Sequence, residues 1–155
     1  MQREITMKAI APVLERNRGS NARVGEYRAW SAPDAGGTLS MREQLGANSS
    51  RAVWDLERGR IALTVTEHAS VADALTALAE ELEFNQLAEL PRGPEDLGEI
   101  SFVHPKPAPP AVFFVRGNLT IGVFSFGKEQ IDVLPYAKRV DEDVRQRASA
   151  GRGKE

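Results

Sequence analysis

His68 and His104 are the two imidazoles of the chain, and each stands at the end of a run that alternates like a strand. With Glu67 beside the first, they could share a divalent cation if the fold brought both ends together. No HxH or HxxxH spacing places two ligands side by side, so the sequence favours loop-edge histidines and no metal site. Ser125, His68 and Asp132 supply the letters of a nucleophile–base–acid set, but no GxSxG turn gives Ser125 a nucleophile's setting. The chain has no cysteine, which removes thiol nucleophiles, disulfides and Cys-ligated zinc or iron–sulfur clusters. It also lacks GxGxxG, Walker A and EF-hand patterns, so no cofactor is expected. Arg58 and Arg116 each precede a glycine, which marks them as hairpin-turn residues before anion ligands.

Any such groups would be positioned by two similar stretches, residues 53–82 and 111–144. Val53-Trp54-Asp55-Leu56-Glu57-Arg58-Gly59 is answered by Ala111-Val112-Phe113-Phe114-Val115-Arg116-Gly117. An alternating run follows each: Ile61, Leu63 and Val65 in the first, and Leu119, Ile121 and Val123 at the same offset in the second. A helical apolar stripe then follows in each. Ser70 caps the first helix, whose stripe is Val71, Ala74, Leu75, Leu78, Ala79 and Leu82. The second stripe is Ile131, Leu134, Ala137, Val140 and Val144, and Pro135 places the start of regular helix near Leu134.

A unit repeated in this way fixes architecture better than any single motif. The reading is an α+β fold: an antiparallel sheet with two helices packed on one face, built from a duplicated β-hairpin–helix unit. The unit becomes β-β-β-α if residues 23–30 and 99–104 are counted as its first strands. Two smaller sheets related by a pseudo-twofold axis are the alternative. Residues 1–148 form a single domain, with repeat one about 23–83, repeat two about 99–146, and a flexible tail at 149–155. A short amphipathic helix is expected over residues 5–15, interrupted by Pro12. A turn of helix is expected over residues 40–45, capped by Ser40 with Glu43 three residues on. Pro105, Pro107, Pro109 and Pro110 predict a stiff extended connector.

At 155 residues, with 41% hydrophobic and 27% charged residues, the chain is long enough for one core without staples. The net charge of −2 is unevenly spread. Residues 67–99 hold nine acids against one base, −8, leaving 13 acids against 19 bases elsewhere, +6. An acidic middle between basic ends argues against a nucleic-acid binder. No run approaches the ~20 apolar residues of a membrane span, and residues 1–21 do not read as a signal peptide, which tilts the expected compartment to the cytoplasm.

The two copies differ on the side turned away from their helices. Copy one carries Asp55, Ala62, Thr64 and Thr66 there; copy two carries Phe113, Thr120, Gly122 and Phe124, with Phe126 beyond. A strand apolar on both sides needs a second covering layer or a partner. The sequence therefore reads as a non-enzymatic binding module. Its second hairpin would use an open face, around Phe113, Phe124 and Phe126, for a protein partner or a second copy of itself. The alternative is a small hydrolase-type enzyme with a site between the halves, near His68 and His104.

Overall fold

The computed structural model describes residues 2–20, 24, 27–84, 91–104, 110–127 and 129–152. Among them are the helix α1 (Gln2–Arg16), a 3-10 turn (Ala29–Ser31), the strands β1 (Thr38–Gln44), β2 (Ser49–Asp55) and β3 (Arg60–Glu67), and the helix α2 (Val71–Phe84). The strands β4 (Ile100–Val103), β5 (Ala111–Arg116) and β6 (Leu119–Phe126) follow, and then the helix α3 (Leu134–Arg152). The six strands form one sheet in the order β1-β2-β3-β6-β5-β4, with every pairing antiparallel. The fold is α+β with an antiparallel sheet.

Alternation decides the two faces. β3 and β6 pair at the centre with Leu63 opposite Val123 and Val65 opposite Ile121. Opposed residues of an antiparallel pair share a face. Ile61, Leu63 and Val65 therefore lie on the same side as Leu119, Ile121 and Val123, and all six are buried. Val133, Tyr136, Ala137, Val140 and Val144 close over this side from α3 and the turn before it. Tyr27 and Tyr136 tie the segment after α1 to the same layer. Tyr27 donates to Asp143 at 2.7 Å beneath the Arg147 guanidinium, and Tyr136 donates to the Pro33 carbonyl and meets Trp54 edge to face.

The two helices do not share a face. Val71, Ala74, Leu75, Leu78, Ala79 and Leu82 of α2 pack on the opposite side, against Ile100, Phe102, Phe113 and Val115, with Ile10 and Val13 of α1 beside them. The reason lies in the β4–β6 half: both of its sides are apolar, so it needs two layers, and α3 supplies only one. A twofold axis relating β3 to β6 must run normal to the sheet, because the pair is antiparallel, and such an axis would keep both helices on one side. The opposite placement of α2 and α3 breaks that symmetry. The hairpins differ too. Asp55 pairs with Arg60 around residues 56–59, whereas Arg116 pairs with Leu119 around Gly117 and Asn118 alone. Gly117 takes the left-handed φ of 58° that a two-residue turn demands. Gly59 does not; a Cβ there would stand 2.9 Å from the Glu129 carbonyl oxygen, so close approach requires the glycine.

Other expectations need correction. Residues 40–45 do not make a turn of helix: Ser40 lies within β1 and pairing with β2 overrides the local capping pattern. Of residues 23–30, Val24, Tyr27 and Arg28 lie in no strand and Ala29 and Trp30 enter the 3-10 turn, so the first strand of that half is β1. α3 runs on to Arg152, through most of the expected tail. The proline connector at 105–109 lies outside the described residues. The cap at Ser70 is as expected, its Oγ accepting from the Asp73 N–H at 3.1 Å, and α1 forms with Pro12 inside it. Among the described residues no helix is long and apolar enough to cross a membrane.

Candidate interaction surface

The two histidines stand at opposite ends of the sheet. The His68 N–H donates to the Asn118 carbonyl just before β6, while the His104 N–H donates to Ala111, whose partner in the ladder is Phe124. Six residues of strand at about 3.3 Å each separate those ends by about 20 Å, far beyond shared ligation at ~2 Å. Among the described residues no group of three metal-ligating side chains comes together. Ser125 is also remote from His68; its Oγ accepts from the Ile131 N–H at 2.7 Å and so braces the approach to α3. Arg116 is not an open anion ligand, because its Nε and Nη2 fork onto Asp141 at 2.7 and 3.0 Å and Glu99 lies 3.6 Å from Nη1.

His68 is instead part of a structural joint. Its Nε2 meets Thr120 Oγ1 at 2.8 Å, and that hydroxyl donates to the Ala74 carbonyl at 3.3 Å. The Thr120 proton being committed to Ala74, the network assigns the imidazole proton to Nε2. Asn118, wholly buried, accepts from the Val24 N–H and donates to the His68 carbonyl. A surface cleft of about 490 Å³ lined by Asn48, Glu67, His68, Ala69 and Asp73 opens beside this joint. Burial lowers the imidazole below its ordinary value of 6.5, with the Asp73 carboxylate opposing in part. The unfolded chain therefore binds that proton more readily. The stability that neutral His68 contributes is complete above pH 6.5 and is lost as pH falls through that value toward the lower folded one. We expect urea midpoints to decline in that window and His68→Gln to flatten the decline. An unaltered decline in the variant would assign it to other groups.

The second-hairpin aromatics separate into three situations. Phe113 is 4% exposed and packs in the layer under α1 and α2, so no open face surrounds it. Phe124 is half-buried and meets Phe113 edge to face at 5.3 Å. Phe126 alone stays open, at 40% exposure, with the Arg60 guanidinium 5.9 Å from its ring centre. The face expected to be open is closed by α2 from the other half of the chain, with Ile10 and Val13 of α1 beside it.

Openness lies instead at β1. All seven of its residues are exposed. Among the described residues the exposed large apolar side chains are Leu39, Met41, Leu45 and Phe126, three of them on β1 or directly after it. A bulge between Leu39 and Met41 puts Met41 opposite Val53, in a cross-strand row continued by Ala62 and Phe124. Ser40 at the bulge lies 3.2 Å from Asp55 Oδ1, and Asp55 in turn holds Arg60 at 3.0 Å. The two ends of the sheet are treated differently. Beyond β4, residues 91–93 add hydrogen bonds: Gly93 N–H to Ser101 O at 3.0 Å and Val103 N–H to Pro91 O at 2.9 Å. β1 ends the sheet at the other side.

The direction of the β1 backbone groups follows from its register. The Leu45 N–H donates to the Ser49 carbonyl at 2.8 Å, so Leu45 and Ser49 form a hydrogen-bonded pair. Such pairs alternate, which makes Glu43/Arg51 and Met41/Val53 hydrogen-bonded pairs as well. Arg42 and Gln44 between them turn their N–H and C=O groups away from β2, to the outside of the sheet. The alternation of Leu39 and Met41 with polar neighbours, ahead of Gly46 and the strand from Ser49, is the sequence signal that could have found this hairpin. Compared with known proteins, the chain matches no family model, no curated protein and no solved structure.

Proposed function

We propose that the protein is a non-enzymatic interaction module, and that its contact surface is the outer edge of β1, where an extended protein segment adds a strand. The observation that carries this reading is an end strand exposed along its whole length, with the backbone groups of Arg42 and Gln44 directed outward. Strand addition draws affinity from such main-chain groups and specificity from the side chains beside them, and here the bulge sets Leu39 opposite Trp54 on one side of the sheet and Met41 opposite Val53 on the other. The dispersal of His68, His104 and Ser125 supports a binding role over hydrolysis, because those groups do not converge. A common origin of the two hairpins is also our inference. It is supported by their mirrored order about the β3–β6 pair and by the shared alternation of residues 61–65 and 119–123.

Amide exchange tests the edge. In dilute protein the Arg42 and Gln44 amides should exchange as open amides. A saturating synthetic peptide of residues 38–45 should slow both by roughly tenfold or more, and leave the amides of β3 as they were. Exchange of Arg42 and Gln44 at the same rate with and without peptide, at every protein concentration, would overturn the reading.

A further inference from the structure

We draw no further inference here: the strongest candidate, the surface cleft beside His68 at the N-terminal end of α2, presents only the carboxylates of Glu67 and Asp73 around a half-buried imidazole, and the one buried side-chain polar atom without a partner among the described residues, His104 Nδ1, lies at the opposite end of the sheet, so nothing in the structure shows what the cleft would take.

Discussion

Replacing Ile121 with aspartate is expected to leave no folded protein. Ile121 is wholly buried at the middle of β6, between Val65 on one neighbouring strand and Phe114 on the other, under the apolar stripe of α3. Losing the isoleucine alone costs about 2–5 kcal/mol through lost transfer and the cavity left behind. A carboxylate in the same place adds several kcal/mol of uncompensated desolvation, and every backbone donor around it is already committed to the ladder. The sum approaches or exceeds the whole stability of an ordinary domain, about 5–15 kcal/mol. Thr64→Asp supplies the contrast. Thr64 is next to Val65, the β3 partner of Ile121, but points to the other side of the sheet, is only half-buried, and is paired directly with Arg51. It should change stability by about 0.5 kcal/mol or less. Far-ultraviolet circular dichroism with urea titration reads both. A cooperative native transition for Ile121→Asp would mean that α3 does not cover this side.

That contrast draws on the part of the fold the sequence carries openly. Period-two alternation states which residues share a side, and it places Ile61, Leu63 and Val65 with Leu119, Ile121 and Val123. Alternation does not state which helix covers which side. The stripe of α2 is equally suited to either, and only the doubly apolar character of Phe113, Phe114 and Val115 hinted at two layers. The same residues suggested an open binding face because a strand that needs a second layer looks alike whether the layer is a partner or the chain's own helix. β1 was hidden for a different reason. Ser40 and Glu43 have the spacing of a helix cap, and local capping chemistry lost to six cross-strand pairs with β2. The role of Asp141 had no local signal at all, since its partners Gly98 and Arg116 lie far away in sequence and meet it only in the folded chain.

Asp141 is where the second large effect is expected. Its carboxylate is 3% exposed as a residue, yet it carries a formal charge, and its cost is offset by three donors: Arg116 Nε at 2.7 Å, Arg116 Nη2 at 3.0 Å and the Gly98 N–H at 3.1 Å. For Arg116 burial works against the charged form, but the hydrogen bond and charge of Asp141, aided by Glu99, outweigh it and raise the guanidinium above its ordinary value. The pair therefore joins the end of β5, the loop before β4 and α3 in one bidentate contact. Asp141→Ala removes only one side and leaves the cation and the Gly98 N–H without their acceptor, which should cost about 3–5 kcal/mol. Arg116→Met with Asp141→Leu removes both charges. It should recover all but about 1–3 kcal/mol, the remainder being the unsatisfied Gly98 donor. Denaturant midpoints of Arg116→Met, Asp141→Leu and the double variant give the coupling directly. Strict additivity of the single losses would show that the three donors act independently, and α3 would then be held to the sheet by its apolar stripe alone.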